Sequence, residues 1–158
     1  MPPVSAGLLL FRERGGGIEV LLVHPGGPYW KRRDRGAWSI PKGEIAPGED
    51  AADAAAREFA EELGIPAPSG PRIPLAPRRQ PGGKLVRAWA VRADLDPSRI
   101  TSNTVSIEWP PRSGHRQPFP EVDRAAWFPL ATARDKIVKG QVGFLDDLAR
   151  VLKASPEP

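Results

Sequence analysis

The chain has 158 residues, of which 40% are hydrophobic, and this length suits one domain over residues 1–158 with a substantial core. No apolar run approaches the roughly 20 residues of a membrane-spanning helix, and no secretory signal is evident at the N-terminus. The absence of cysteine excludes disulfides and thiolate metal sites and fits a reducing cytoplasm, while the formal net charge of +4 suggests an anionic partner.

Apolar runs and turn residues predict the order of elements along the chain. Val4–Phe11 and Ile18–His24 flank three glycines and predict a β-hairpin. Further strands are predicted over 38–40, 85–91, 105–109 and 126–128, with a loop over 110–120. A short helix is predicted over 131–137. An amphipathic helix follows, with Val142, Leu145, Leu148, Val151 and Leu152 on one face, and the SPEP tail is expected to be frayed. Strands and helices mixed in this order indicate an α+β fold.

A helix is predicted between Asp50 and Gly64. Asp50 suits the N-cap, with Asp53 three residues further on, and Gly64 suits the left-handed position that ends many helices. An apolar stripe at helical spacing is formed by Ala52, Ala55, Phe59 and Leu63. This stripe is expected to face a sheet.

Three carboxylates crowd one side of this helix. Glu58, Glu61 and Glu62 stand at i, i+3 and i+4, so they project together and repel one another. A bound divalent cation would remove that repulsion, and hard oxygen ligands are what Mg²⁺ or Mn²⁺ prefers. The alternative is a solvated acidic helix face, which is the usual meaning of a run of charges.

A wider pattern surrounds these carboxylates, G-x5-E-x7-R-E-U-x-E-E-x-G-U, where U is a bulky apolar residue. Its positions are filled by Gly43, Glu49, Arg57, Glu58, Phe59, Glu61, Glu62, Gly64 and Ile65. The pattern resembles the Nudix box of the Nudix (MutT-like) hydrolases, with Phe59 where Leu, Ile or Val is commoner. The resemblance covers this segment in detail and the rest of the chain in outline. It implies the Nudix fold, an αβα sandwich with a mixed β-sheet.

The resemblance also implies roles for the residues of the box. Glu58, Glu61 and Glu62 would bind Mg²⁺ or Mn²⁺, aided by the backbone carbonyl of Gly43. Glu61, Glu62 and Arg57 are the catalytic candidates within the box. Arg57 would also be bonded to Glu49 and orient the metal-binding carboxylates.

Residues just before the box are further candidates. Lys42 could bind phosphate or be an ordinary exposed lysine, and Glu44 could reach the metal through water. The family often takes another acid from outside the box. Glu108 and Glu121 are the two choices, and Glu108 is preferred because it ends a strand and enters a proline-rich loop.

Aromatic and basic side chains before the box suggest where a nucleotide binds. Tyr29 and Trp30 precede Lys31 and Arg33, a mixture that suits a base stacked above a polyphosphate. The alternative is an aromatic anchor surrounded by solvated charges. Basic residues near 78–84 and 112–116 compete for the same role.

The predicted function is divalent-metal-dependent hydrolysis of a nucleoside diphosphate linked to another moiety, with water attacking a phosphoanhydride phosphorus. The basic loop before the box favours a nucleoside triphosphate or a dinucleoside polyphosphate. An RNA 5′-end pyrophosphohydrolase of the decapping type and a non-catalytic nucleotide-binding module are the alternatives. No membrane partner is expected, and the protein would be a monomer or a homodimer.

Overall fold

The computed structural model describes residues 3–154. Along this part of the chain the elements are β1 (Val4–Arg14), β2 (Gly17–Pro25), β3 (Lys42–Glu44), α1 (Ala51–Leu63), β4 (Ile73–Pro74), β5 (Arg78–Arg79), β6 (Leu85–Arg92), β7 (Thr104–Glu108), β8 (Arg116–Pro120), β9 (Val122–Pro129), α2 (Leu130–Lys136) and α3 (Val142–Ala154). The expected fraying of the last four residues lies outside the described residues.

The main sheet is mixed. Its strands follow the order β4-β6-β1-β2-β9, while β3 also pairs with β1 and β5 with β6. β1 and β6 run parallel from the pair Val4–Leu85 to the pair Phe11–Arg92, and every other pairing in this sheet is antiparallel. The predicted hairpin of β1 and β2 is confirmed. β7 and β8 form a separate two-stranded sheet.

Helices cover both faces of this sheet. Because neighbouring side chains of a strand point to opposite faces, Leu9 and Phe11 of β1 enter one apolar cluster and Leu8 and Leu10 enter the other. The first cluster contains Ala133 of α2 with Phe144, Leu145 and Leu148 of α3. The second contains Ala54, Ala55, Phe59 and Leu63 of α1. The predicted αβα sandwich with a mixed sheet is confirmed.

The helix α1 begins and ends where its cap residues predict. The side chain of Asp50 accepts a hydrogen bond from the backbone N–H of Asp53. Gly64 has φ +67°, and its N–H donates to the carbonyl of Ala60. A Cβ on Gly64 would lie 2.3 Å from the carbonyl oxygen of Thr101, so this position requires glycine for space as well as for conformation.

Two local predictions need correction. The segment over 110–120 was expected to be a loop, but Arg116–Pro120 pairs with β7 as β8. Its prolines are tolerated because the two strands form a small sheet with open edges. The short strand expected over 38–40 is reduced to isolated bridges from Trp38 to Ile137 and from Ser39 to Val23. Within residues 3–154, no helix has the length and apolar character needed to cross a bilayer.

Candidate active site

One cavity of about 530 Å³ opens between α1, β3, the segment before β3 and the segment between α2 and α3. This size suits a small-molecule ligand. The residues around it are Val23, Pro25, Trp30, Ala37, Ser39, Ile40, Lys42, Gly43, Glu44, Glu58, Glu61, Glu62, Gln80, Lys84, Glu121, Val122, Val138 and Gln141. Charged groups from the helix α1 and strand β3 make part of this wall, and apolar groups with two glutamines make another.

Glu62 is the most deeply buried acid of the cavity. It is only 6% exposed, and burial together with the nearby charge of Glu121 raises the pKa of its carboxyl to about 8, although Lys42 opposes the shift. Taking a carboxylate out of water penalises its charged form. Glu62 is therefore a carboxylate that needs a compensating positive charge in order to ionise at neutral pH.

Glu58 packs against the backbone of β3. A Cβ at Gly43 would lie 2.0 Å from the Glu58 carboxylate, so glycine is required for the helix to approach the strand this closely. Burial raises the pKa of Glu58, opposed by the hydrogen bond from Arg57. This contact also brings the backbone of Gly43 beside a carboxylate of the helix.

Arg57 joins several of these acids. Its Nε donates to Glu49 Oε2 at 2.8 Å and its Nη2 donates to Glu49 Oε1 at 2.9 Å, a two-point contact of fixed geometry. Its Nη1 donates to Glu58 Oε1 at 2.9 Å and to Glu61 Oε1 at 3.2 Å. Nη2 also donates to the carbonyl of Glu44, which links α1 to the end of β3. These hydrogen bonds lower the pKa of Glu49 to about 2.

Two lysines line the same cavity as the acids. Burial, followed by the repulsion from Lys84, lowers the pKa of Lys42, while Glu62, Glu121 and Glu58 oppose this shift. Lys84 Nζ lies 3.8 Å from Glu44 Oε1. The cavity therefore combines clustered anions with cations that could bind the oxygens of a phosphate.

The structure places Glu121, and not Glu108, beside the acids of α1. Glu121 lies between β8 and β9, and its backbone is fixed by hydrogen bonds to Gly26 and Asn103. Glu108 ends β7 away from the cavity, and its carboxylate accepts a hydrogen bond from the N–H of Gly114. The preference for Glu108 is therefore corrected, because Glu108 pairs with Arg116 at one end of the β7–β8 hairpin, whereas Glu121 follows Pro120 at the other end.

Side-chain amides and apolar groups also line the cavity. Gln141 is fully buried, and its Oε1 accepts a hydrogen bond from the N–H of Ile40 at 3.0 Å. Gln141 Nε2 donates to Ser39 Oγ at 3.1 Å and to Gln80 Oε1 at 3.2 Å. Sequence reasoning missed Gln80 and Gln141 as site residues, since they are 61 positions apart and belong to no motif.

Comparison with known proteins identifies the family of this chain. The NUDIX domain model matches residues 1–148. The chain belongs to the Nudix family. Among curated relatives, an 8-oxo-(d)GTP phosphatase of Mycolicibacterium smegmatis is 31% identical over 84% of this chain and 37% of its own length. A Bis(5′-nucleosyl)-tetraphosphatase [asymmetrical] of Caenorhabditis elegans is 41% identical over 39% of this chain and 40% of its own length.

The matched segments cover well under half the length of these two curated relatives. A C. elegans Ap4A hydrolase in a binary complex shares its fold, with a TM-score of 0.66, 24% identity, and coverage of 97% of this chain and 99% of that one. The NUDIX domain of Shewanella oneidensis NrtR, complexed with ADP ribose, has a TM-score of 0.63 at 16% identity, and 96% of this chain and 89% of that chain are covered.

The predicted nucleotide-binding residues of this Nudix domain do not all meet in the cavity. Lys42 and Trp30 line it, and the Arg33 guanidinium lies 5.6 Å from the centre of the Trp30 ring. Tyr29 is 53% exposed and packs edge-on against Trp109 outside the cavity wall. Lys31 lines a separate cleft beside the β7–β8 hairpin.

The Nudix box supplies oxygen donors that suit a hard divalent cation. Glu58, Glu61 and Glu62 all reach the cavity, as does Gly43. Within residues 3–154, no three acidic side chains stand close enough to form a complete cation site in this conformation. Glu58 and Glu61 instead accept hydrogen bonds from Arg57. The donor set fits Mg²⁺ or Mn²⁺ if these two side chains turn towards Glu62.

Proposed function

We propose that this Nudix protein is a divalent-metal-dependent hydrolase of a nucleoside diphosphate linked to another moiety. The observation that carries the proposal is the cavity itself, which brings the box acids and Glu121 together with Lys42 and Lys84. A polyphosphate needs such cations for its oxygens and a metal to neutralise its remaining charge.

Each group of the cavity has a role in this reaction. Glu58, Glu61, Glu62 and the carbonyl of Gly43 would hold Mg²⁺ or Mn²⁺, which when bound would lower the pKa of a water and polarise the phosphoanhydride. Arg57 would keep the carboxylates in position through its two-point contact with Glu49.

Glu121 is the proposed proton acceptor for the attacking water. It lines the same cavity as the helix carboxylates from its position just before β9, and its negative charge contributes to the raised pKa of Glu62 and of Glu58. Within the described residues, no side chain hydrogen-bonds to its carboxylate. A carboxylate in this position can take a proton from a water held between it and α1.

A nucleoside triphosphate or a dinucleoside polyphosphate is the proposed substrate. The curated relatives that support this choice are a phosphatase of 8-oxo-(d)GTP and a tetraphosphatase of bis(5′-nucleosyl) compounds. Trp30 and the apolar side chains near Ile40 would surround the base, while Lys42 and Lys84 would bind phosphates.

The test is a panel of nucleotides incubated with Mg²⁺ or Mn²⁺, with product identification. Nucleoside triphosphates, dinucleoside polyphosphates, ADP-ribose and 5′-triphosphorylated RNA cover the competing substrates. We expect release of a nucleoside mono- or diphosphate from at least one of the first two classes, and loss of turnover with EDTA. Turnover of the RNA alone would favour the decapping alternative, and binding without turnover would favour the non-catalytic module.

Single substitutions test whether the activity depends on the carboxylates of the box. Glu61→Gln and Glu62→Gln should each lower kcat by about 100-fold or more while the fold is preserved, because each loses a proposed ligand of the metal. Glu108→Gln is the matched control, since Glu108 lies outside the cavity, and Glu121→Gln should be strongly impaired. A Glu62→Gln protein with full activity would remove the metal-site assignment.

A further inference from the structure

The side-chain amides of Gln80 and Gln141, which both line the cavity, have fixed directions. The N–H of Ile40 can only donate, so the atom of Gln141 that it contacts at 3.0 Å is the carbonyl oxygen. The Nε2 of Gln141 must then be the group that faces Ser39 and Gln80. No 180° flip of this side chain preserves the hydrogen bond with Ile40.

The direction of Gln141 determines the direction of Gln80. Both hydrogens of Gln141 Nε2 are used, one towards Ser39 Oγ and one towards Gln80 Oε1. A flipped Gln80 would place two N–H donors against each other. Gln80 therefore turns its oxygen to Gln141, and its Nε2, which has no hydrogen-bond acceptor among the described residues, is left available in the cavity wall.

The backbone around Gln80 is also held in place. Its N–H donates to the carbonyl of Lys84, and its own carbonyl accepts from Gly83. Its Cγ packs near Gly140, where an added Cβ would lie 3.2 Å away. The adjacent strand β5 is tied to α3, because Arg78 Nη2 donates to Asp147 Oδ2 at 2.7 Å. Gln80 thus has little freedom to reverse its donor.

From this geometry we infer that Gln80 is a specificity-determining residue that donates a hydrogen bond from Nε2 to a carbonyl oxygen on the edge of the substrate's base. The inference rests on the proposed function, since it assigns the part of the same cavity beside Ile40, Gln141 and Gln80 to the base. Bases with a carbonyl at that edge, such as guanine, hypoxanthine and uracil, satisfy the donor. Adenine and cytosine present an exocyclic amino group there, which is itself a donor and leaves Gln80 unpaired.

The discriminating variant is Gln80→Glu. A carboxylate can still accept from Gln141, so the local contacts are retained, but the atom facing the base changes from donor to acceptor. Gln117→Glu is the matched control, because it introduces the same charge on the β8 strand outside this cavity. The measured quantities are kcat/KM and equilibrium binding of GTP, ITP and UTP compared with ATP and CTP.

We expect the wild-type protein to prefer the carbonyl-bearing bases, and Gln80→Glu to lower the ratio of GTP to ATP by about tenfold or more. The added charge weakens all five nucleotides alike and cancels in the ratio. Gln117→Glu should leave the ratio unchanged. If Gln80→Glu does not fold, Gln80→Met removes the donor without charge and should bring the ratio close to one.

A wild-type protein without base preference, or a Gln80→Glu ratio equal to that of the wild type, would overturn the inference. The binding measurement separates this result from failure of the proposed function. If no nucleotide is hydrolysed, the hydrolase proposal fails, yet the binding ratios still support or contradict the role of Gln80. If nucleotides are hydrolysed and the ratio does not move, only the role of Gln80 is lost.

Discussion

Glu62 is the residue at which burial and charge conflict most. Its pKa is raised to about 8, so the folded, metal-free protein binds a proton that the unfolded chain releases near pH 4.5. The contribution of this bound proton to the free energy of unfolding is fully present below pH 4.5 and is lost as the pH rises through 8. Between these values the metal-free protein is expected to become progressively less stable because of this group.

Glu62→Gln should remove the loss of stability that Glu62 causes as the pH rises. We expect the metal-free variant to be more stable than the wild type at pH 9 by an amount on the order of 1 kcal/mol or more, with a smaller difference at pH 5. Denaturant unfolding at the two pH values in EDTA measures it. The matched control is Glu44→Gln, an exposed residue of the same cavity, which should change stability by less than about 0.5 kcal/mol. Equal pH profiles for wild type and Glu62→Gln would contradict the prediction.

The pKa of Glu49 shifts in the opposite direction from that of Glu62. Arg57 and the N–H of Ala46 lower the pKa of Glu49 to about 2, so its contribution to stability is present above about pH 4.5 and is lost as the pH falls through 2. Glu49→Gln should therefore flatten the fall of unfolding free energy between pH 5 and pH 2. Thermal unfolding across this range provides the measurement, and an unchanged slope would contradict the ion-pair assignment.

The same substitution is expected to affect the site. With glutamine at position 49, Arg57 loses the two-point contact and the charge of Glu49, and keeps its hydrogen bonds to Glu58, Glu61 and the carbonyl of Glu44. Loss of a group that orients metal ligands commonly costs about 10- to 100-fold in metal affinity or activity. Glu49→Gln should fall in this range, which is less than the effect expected for Glu62→Gln.

The end of α1 depends on a glycine that needs both space and a left-handed conformation. Gly64→Ala forces a Cβ to 2.3 Å from Thr101 at φ +67°. Gly48→Ala is a matched control, because Gly48 has φ +76° but no atom within 4 Å of its Cβ position. We expect Gly48→Ala to cost about 1 kcal/mol from conformation alone and Gly64→Ala clearly more. Equal unfolding free energies for the two variants would show that the contact with Thr101 does not matter.

Elements with local signals were predictable from the sequence. Asp50 and Gly64 fixed the ends of α1, and glycines around position 16 marked the turn between β1 and β2. The strand β8 was missed because Pro118 and Pro120 indicate a loop when its partner β7 is not considered. The register of a strand pair, which decides which end of the β7–β8 hairpin carries each acid, has no clear signal in the sequence, and this is also why Glu108 was preferred to Glu121.

Across the domain, the site was predictable only where one element contains it. The three glutamates of α1 and their partner Arg57 lie within one helix, so helical spacing was sufficient to group them. The amide group of the cavity is built from Ser39, Gln80 and Gln141, which the fold brings together from separate parts of the chain. The proposed chemistry of the site was therefore readable from one segment, while the residue proposed to select the substrate required the fold.

The most direct test of this account is Mn²⁺ titration followed by electron paramagnetic resonance, since bound and free Mn²⁺ give different signals. We predict that the wild-type protein binds Mn²⁺, and that Glu61→Gln and Glu62→Gln each weaken binding by about tenfold or more, while Glu108→Gln leaves it unchanged. Mg²⁺ should displace the bound Mn²⁺. Absence of Mn²⁺ binding by the wild type, or equal affinity in all four proteins, would contradict the assignment of a metal site to the carboxylates of α1.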